Sequence, residues 1–150
     1  MDLALPSHFK EFLRLLRAEG VEYLLLGGWA VICHGYPRAT HDLDIWIAIS
    51  ADNANRIVRT LRKFGFDVSL PTEIFLEEDK ILRLGSAPNL IEIMTSASGV
   101  RFEECYRERL ETTLDKEPVS LISLKHLRIN KHAAGRLKDL ADLEELPAAE

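Results

Sequence analysis

Short apolar runs alternate with amphipathic segments along this 150-residue chain, and that order restricts its fold more than any other feature. "VEYLLLGG" has the length of a buried strand that ends in a tight turn, and "WAVICHG" is typical of a short helix. "DLDIWIAI" then predicts a second strand. Before them, residues 8–20 carry apolar side chains at helical spacing, with Ser7 as the expected cap and Gly20 as the stop.

The second half of the chain predicts another helix, several strands and a helical end. Asp52 is the expected cap of a helix over residues 52–65. The strand patterns that follow are a weak "FDVSL", then "EIFLE", "KILRLG" and "NLIEIMT", the last two forming an antiparallel hairpin. The helical patterns are "VRFEECYRERL", "LISLKHLRINKHAAG" with Ser123 as cap and Gly135 as stop, and "RLKDLADLEEL". We therefore predict one α/β or α+β domain over residues 1–150, with a mixed β-sheet flanked by helices.

The composition excludes some classes of protein. Apolar residues make up 47% of the chain and the formal net charge is -5, which disfavours a protein that coats nucleic acid through a basic surface. No apolar run approaches the length of a membrane span, and the N-terminus lacks the features of a signal peptide. Cys33 and Cys105 have neither metal-site spacing nor a disulfide framework. We expect a cytoplasmic protein with reduced thiols.

Asp42 and Asp44 raise the main chemical question. On a strand, positions i and i+2 point to the same face, so the two carboxylates lie together while Leu43 points to the other face. Such a pair is stable with a cation between the carboxylates or at an exposed strand end, and the exposed end is the ordinary explanation for an isolated Asp-x-Asp. Oxygen-only ligands suit Mg²⁺, which often bridges to substrate phosphates.

Two neighbouring features favour the cation. Gly27 and Gly28 lie between a strand and a helix, where glycine lets backbone N–H groups approach a phosphate at the helix N-terminus, although a lone Gly-Gly is more often a turn. Glu92 is the one charged residue in "NLIEIMT". It reaches the same metals if that strand lies beside "DLDIWI", and otherwise it faces water on an edge strand. Together these features predict a site for a metal–triphosphate complex.

These residues resemble the signature of the DNA polymerase beta-like nucleotidyltransferase superfamily. "GGWA" and "RATHDLDI" are similar to stretches of small antibiotic nucleotidyltransferases that act on aminoglycosides and lincosamides. From about Val21 to Leu146 the chain also resembles bacterial nucleotidyltransferase-like proteins related to AbiEii-type toxins. The resemblance implies the minimal nucleotidyltransferase fold with a helical C-terminus. Two departures are that the superfamily often has Gly-Ser at Gly27–Gly28 and commonly has Asp at Glu92.

The resemblance also implies a reaction: transfer of a nucleoside monophosphate from an NTP to a hydroxyl acceptor, with release of pyrophosphate. Asp42, Asp44 and Glu92 would hold two Mg²⁺ ions, for which Mn²⁺ can substitute, and Glu92 would act as ligand or as base. Nucleotide and phosphate contacts would come from the glycine turn, the segment before the acids and the C-terminal "NKHAAGRLKDL", namely Gly27, Gly28, Arg38, Thr40, Lys131, Arg136 and Lys138. A solvated basic helix end is the alternative for the last three.

The acceptor and the biological role stay open at this point. The acceptor is either RNA, such as a tRNA end in a toxin-like role, or a small molecule such as an antibiotic, and the negative net charge disfavours RNA. The short chain leaves little room for an acceptor domain, so a homodimer or a partner protein would complete the pocket. The alternative function is a non-catalytic nucleotide-binding partner of a toxin–antitoxin-like pair, which the presence of all three acids disfavours. Core packing is the simpler explanation for Trp29 and Trp46.

Overall fold

A mixed β-sheet with helices packed against it forms the fold of this chain, seen in a computed structural model that describes residues 4–66, 69 and 72–149. The elements are, in chain order, α1 (Ser7–Ala18), β1 (Tyr23–Leu26), α2 (Gly27–Cys33), β2 (Leu43–Ile47), α3 (Ala51–Lys63), a 3₁₀ helix (Thr72–Leu76), β3 (Ile81–Leu84), β4 (Ile91–Met94), α4 (Phe102–Arg107), β5 (Leu110–Leu114), β6 (Glu117–Leu121), α5 (Leu124–Ala134) and α6 (Leu137–Glu145). No helix within the described ranges combines the length and the apolar character that crossing a membrane requires.

The six strands lie in the order β3-β4-β2-β1-β6-β5. β1 is antiparallel to β2 and parallel to β6, and β2 is parallel to β4. The β3–β4 and β5–β6 pairs are antiparallel hairpins. This topology confirms the predicted mixed sheet, and it places the two most strongly apolar strands, β1 and β2, at its centre.

The core lies against the central strands. All four residues of β1 are buried, and in β2 the buried side chains of Leu43 and Ile45 alternate with the partly exposed Asp44. The amphipathic pattern of residues 8–20 becomes the buried face of α1, with Phe9, Phe12, Leu13 and Leu16 in the core. The alternation in β2 therefore puts Asp44 on the face opposite Leu43 and Ile45, as predicted for this strand.

Three expected helix caps have different outcomes. Ser123 caps α5, since its hydroxyl accepts a hydrogen bond from the backbone N–H of His126, and Gly135 ends that helix in the left-handed conformation, as predicted. The cap at Ser7 is wrong, because α1 begins at Ser7 itself and Pro6 precedes it. The cap at Asp52 is also wrong, because Ser50 takes that position and its hydroxyl accepts from the backbone N–H of Asn53.

The strand predictions fail in one region and miss a hairpin in another. "EIFLE" lies in the 3₁₀ helix, not in a strand, and the helix expected over "VRFEECYRERL" stops at Arg107. Strands β5 and β6 went unpredicted because four of the five residues of β5 are exposed, which removes the alternation that marks a strand. Their turn uses Asp115 and Lys116, both at positive φ, where glycine or asparagine would have given the usual signal. In the expected strand "FDVSL", residues 67, 68 and 70 lie outside the described residues.

Candidate active site

Asp44 and Glu92 meet across two neighbouring parallel strands. Asp44 of β2 pairs in register with Glu92 of β4, and on its other side it pairs with Leu26, the last residue of β1. The carboxyl group of Glu92 is near enough to that of Asp44 to raise its pKa. The condition under which Glu92 would reach the aspartate pair, that its strand lies beside "DLDIWI", is therefore met.

A negative charge on Asp44 is costly to the folded chain. Burial has the largest effect on the pKa of Asp44 and raises it. The nearby carboxyl group of Glu92 and the charge of Asp42 raise it further, to about 7. Lys138 acts in the opposite direction and stabilises the ionised form of Asp44. Two carboxyls in contact under these conditions share a proton or require a cation.

Asp42 lies just before β2, at the same edge of the sheet. Its Oδ1 atom accepts a hydrogen bond of 3.1 Å from the backbone N–H of Leu90, and the N–H of Leu43 donates to the carbonyl of Leu90 at 2.9 Å. Only Oδ1 takes part in that bond. In the conformation seen here, no three Asp, Glu, His or Cys side chains of the described residues converge as a complete set of metal ligands.

The donor atoms nevertheless fit a divalent cation. Asp44 and Glu92 supply carboxylate oxygens in contact with each other, their mutual repulsion would be relieved by a positive ion, and Asp42 adds a third carboxylate beside them. Oxygen donors of this kind suit Mg²⁺. We therefore find the chemistry of the three acids compatible with the predicted metal site.

Gly27 and Gly28 are required by close packing against the site. A Cβ atom at Gly27, which has a φ of +68°, would lie 1.9 Å from the Oδ2 atom of Asp44. A Cβ atom at Gly28 would lie 2.2 Å from the Oγ1 atom of Thr40 and 3.3 Å from Nη1 of Arg38. The sequence predicts phosphate binding by the backbone of both glycines. The structure gives an additional reason for them, because only glycine lets the start of α2 approach Asp44 and Thr40 this closely.

Arg38 is held by a carboxylate from α6. Its Nε donates to Oδ1 of Asp142 at 2.7 Å and its Nη2 donates to Oδ2 at 2.9 Å. This is the paired geometry in which a guanidinium and a carboxylate are both oriented. Asp142 was missed by the sequence analysis, and the available signal was that it lies three residues after Asp139 and so shares its helix face.

Lys131 joins Arg38 to Arg136 through two aspartates. Its Nζ lies 3.1 Å from Oδ1 of Asp139 and 3.1 Å from Oδ2 of Asp142, and Nε of Arg136 donates to Oδ2 of Asp139 at 2.8 Å. We refer to Arg38, Asp142, Lys131, Asp139 and Arg136 as the C-terminal ion network. The side chain of Lys131 is only 5% exposed, so its ammonium is directed at these carboxylates and not at an open phosphate position.

The start of α6 lies beside the acids. The hydrogen bond to Asp139 is the main cause that raises the pKa of Arg136. Burial lowers this pKa, and the charges of Asp139, Asp44 and Glu92 raise it further. The charge of Lys138, an exposed residue, in turn lowers the pKa of Asp44. The charges of Arg136 and Lys138 thus interact with the acids, whereas the ammonium of Lys131 is buried between Asp139 and Asp142.

Both tryptophans are core residues. Trp29 is 4% exposed and Trp46 is 1% exposed, and Trp46 packs edge to face against Phe102 with 5.2 Å between ring centroids. Their burial agrees with the expectation of core packing and leaves neither ring open for stacking on a base.

Comparisons with known proteins identify the family and the fold of this chain. The family model of aminoglycoside-2''-adenylyltransferase matches residues 8–146. No curated protein gives a significant match. Among solved structures, the lincosamide antibiotic adenylyltransferase LnuA with bound lincomycin is similar, with a TM-score of 0.61 and 16% identity over 95% of this chain and 96% of that chain.

Two further structures share the fold. The Thermotoga maritima protein TM1012, assigned as a nucleotidyltransferase, has a TM-score of 0.59 and 17% identity over 91% of this chain and 88% of that chain. An antigenic nucleotidyltransferase-like protein from Paracoccidioides brasiliensis has a TM-score of 0.51 and 19% identity over 90% of this chain and 71% of that chain. At these identities the likeness concerns the fold, and it confirms the predicted fold class. Because the family model covers nearly the whole chain, the protein belongs to the aminoglycoside-2''-adenylyltransferase family and is a nucleotidyltransferase.

Proposed function

We propose that this protein transfers a nucleoside monophosphate from an NTP, with ATP as the first candidate, to a hydroxyl group of a small molecule and releases pyrophosphate. The observation that carries the proposal is the contact between Asp44 and Glu92 across β2 and β4, with Asp42 beside them. The donor is proposed as ATP because the matching family is named for adenylyl transfer.

In this proposal the three acids hold the metal ions. Asp42, Asp44 and Glu92 bind Mg²⁺, for which Mn²⁺ can substitute, and the bound ions would neutralise the triphosphate and the attacking and leaving oxygens. Glu92 is 20% exposed, and its Oε1 atom lies 3.3 Å from Nε of Arg83. It is therefore accessible enough to accept the proton of an acceptor hydroxyl, if it is not occupied as a ligand.

The phosphates are assigned to the groups that surround the acids. Arg136 and Lys138 lie in the field of the carboxylates, and Arg38 and Thr40 lie against Gly28. These side chains, with the backbone of Gly27 and Gly28, are the proposed triphosphate contacts. Positioning and charge neutralisation account for most of the acceleration of phosphoryl-type transfer, so no covalent step on the protein is needed.

For the acceptor we propose an antibiotic that carries hydroxyl groups. The family is named for aminoglycosides, and the similar structure LnuA was solved with lincomycin. A net charge of -5 suits a cationic aminoglycoside better than RNA. Two cavities on the described surface, of about 400 and 480 Å³, include none of the three acids in their linings. In this proposal a second copy or a partner protein completes the acceptor pocket.

Product analysis tests the proposal. The protein is incubated with Mg²⁺ and each α-labelled NTP, together with aminoglycosides, lincosamides or tRNA, and the label and mass of each acceptor are followed. We expect one antibiotic class to gain one nucleoside monophosphate, with pyrophosphate released, and no product with Asp44→Asn. Labelled tRNA would favour the toxin-like role instead. Metal-dependent NTP binding without product from this panel or from cell extract would favour the non-catalytic nucleotide-binding protein.

A further inference from the structure

The two arginines that border the acids are both held by α6. Asp142 binds Arg38 through two hydrogen bonds, and Asp139 binds Arg136 at 2.8 Å. Both aspartates bind the same ammonium, that of Lys131, at 3.1 Å. The two arginines are thus connected through a single lysine, although they lie far apart in the sequence.

The burial of the C-terminal ion network is uneven. Asp139, Asp142 and Lys131 are 1%, 3% and 5% exposed, whereas Arg38 and Arg136 are 25% and 63% exposed. Three cations and two carboxylates leave one positive charge in excess. Because the inner residues are compensated by each other, the two ends of the network are the parts that can interact with another anion.

The exposed ends lie at the proposed triphosphate site. Nη1 of Arg38 is 3.3 Å from the position that a Cβ of Gly28 would take, and Gly27 contacts Asp44 in the same turn. Arg136 lies close enough to Asp44 and Glu92 to interact with their charges. An arginine side chain loses several rotatable bonds when it binds, so an arginine that is already oriented binds phosphate at a lower entropic cost.

We propose that Asp142 and Asp139 are positioning residues, which orient Arg38 and Arg136 toward the triphosphate, and that Lys131 couples the two pairs so that they are set together. This inference rests on the proposed function, since it requires an NTP at the acids. The competing explanation is structural. In that case the network only fastens α5 and α6 to the segment that precedes β2, and it contributes to folding but not to nucleotide affinity.

A double-mutant cycle separates the two explanations. The dissociation constants of ATP and of adenosine are measured with Mg²⁺, well below the unfolding temperature, for wild type, Arg38→Ala, Asp142→Asn and the double variant. We expect each single variant to weaken ATP binding about tenfold or more, as for a lost charge-assisted hydrogen bond, and to leave adenosine binding nearly unchanged. In the Arg38→Ala background, Asp142→Asn should weaken ATP binding much less than it does alone, because most of its effect passes through Arg38 and only the remainder through Lys131.

The matched control is Glu117→Gln. Glu117 is 10% exposed and accepts a hydrogen bond from Arg14 at 3.0 Å, and it begins β6, whose far end at Leu121 pairs with β1. This variant removes a buried carboxylate from an arginine away from the acids, and ATP affinity should not change. If Asp142→Asn does not fold, Asp142→Glu takes its place in the cycle, since this variant keeps the charge and shifts the carboxylate out of the paired geometry with Arg38.

The outcomes distinguish failure of this inference from failure of the proposed function. If wild type binds no ATP, both the proposed function and the positioning role are wrong. If wild type binds ATP while Asp142→Asn, or Asp142→Glu in its place, binds ATP as tightly as wild type and only unfolds at a lower temperature, the network is structural and the positioning role is wrong. Additive losses in the double variant would also overturn it, because Asp142 would then act independently of Arg38.

Discussion

Asp44 and Glu92 occupy paired positions on the parallel strands β2 and β4, and the carboxyl group of Glu92 raises the pKa of Asp44. The register of the sheet therefore brings together two acids that lie far apart in the sequence. Their proximity raises the energy of the ionised pair in the absence of a cation. We propose that a divalent cation relieves this repulsion, at the end of β1 where α2 begins.

Replacing Gly27 by alanine should destabilise the fold by more than the strain of a positive φ alone, and it should also disturb Asp44. The new Cβ would lie 1.9 Å from Oδ2 of Asp44, and φ at Gly27 is +68°. Gly20 is a matched control, because its φ is +70° and a Cβ there would meet no atom within 4 Å. Gly20→Ala should cost about 1–2 kcal/mol in the free energy of unfolding and keep Mg²⁺-dependent ATP binding.

Gly27→Ala should lower the free energy of unfolding by more than Gly20→Ala does. It should also abolish ATP binding, because Asp44 has to move. Denaturant unfolding and calorimetric titration of both variants give the two quantities. If the two variants have the same stability and the same ATP affinity, the packing of Gly27 against Asp44 does not matter for ATP binding.

Glu92→Gln tests whether Glu92 acts in chemistry or in binding. A general base predicts that turnover falls by about 10²-fold or more while ATP affinity stays within a few-fold. Parallel losses in affinity and turnover would assign Glu92 to the metal. Glu77→Gln, which changes an acid with a 61% exposed side chain, is the control and should keep wild-type turnover. Unchanged turnover in Glu92→Gln would leave Glu92 as a surface residue of β4.

Lys131→Met should destabilise the fold strongly. The ammonium of Lys131 is buried between Asp139 and Asp142, and removing one partner of a buried ion pair typically costs about 3–5 kcal/mol. Lys125 provides the comparison, since its side chain is 58% exposed and its nearest carboxylate, that of Glu108, lies 3.9 Å away. Lys125→Met should cost less than about 1 kcal/mol in denaturant unfolding. Similar small costs for both would show that Lys131 is solvated.

The same network predicts acid sensitivity. Burial is the largest influence on Asp142 and raises its pKa, but the hydrogen bonds from Arg38 and Lys131 outweigh burial and lower the pKa below the ordinary value of 3.8. Because the folded-state pKa is lowered, the stabilisation is present above pH 3.8 and is lost as the pH falls below it. Asp142→Asn should therefore lose less stability than wild type between pH 5 and pH 3, measured by unfolding at each pH. An identical pH dependence would contradict the pairing.

Much of the acid site could be predicted from local patterns. The alternation of Asp44 with Leu43 indicated the face that Asp44 occupies, and the lone charge at Glu92 made this residue the candidate for the third acid. "GGWA" marked the end of β1, although the expected turn is the beginning of α2. The role of Lys131 could not be predicted, because its burial depends on how α6 packs and brings Asp142 to it. A basic residue in a sequence indicates a charge, but only the tertiary structure shows whether a carboxylate already neutralises it.

Arg136→Ala should weaken ATP binding more than AMP binding. Arg136 is exposed and lies in the field of the acids, so its proposed contacts are with the β- and γ-phosphates that AMP lacks. We expect about a tenfold loss for ATP and a smaller loss for AMP, with both reduced at high salt. Equal, small losses for the two ligands would remove Arg136 from the site.

Calorimetric titration of ATP into wild type and Asp44→Asn, each with Mg²⁺ and with EDTA, tests the metal–nucleotide site. We expect wild type to bind ATP only with Mg²⁺ and Asp44→Asn to bind no ATP in either condition. We also expect Asp44→Asn to be at least as stable as wild type in EDTA, because the variant lacks the repulsion between Asp44 and Glu92. Wild-type ATP affinity in Asp44→Asn, or equal binding with and without Mg²⁺, would contradict the metal–nucleotide site.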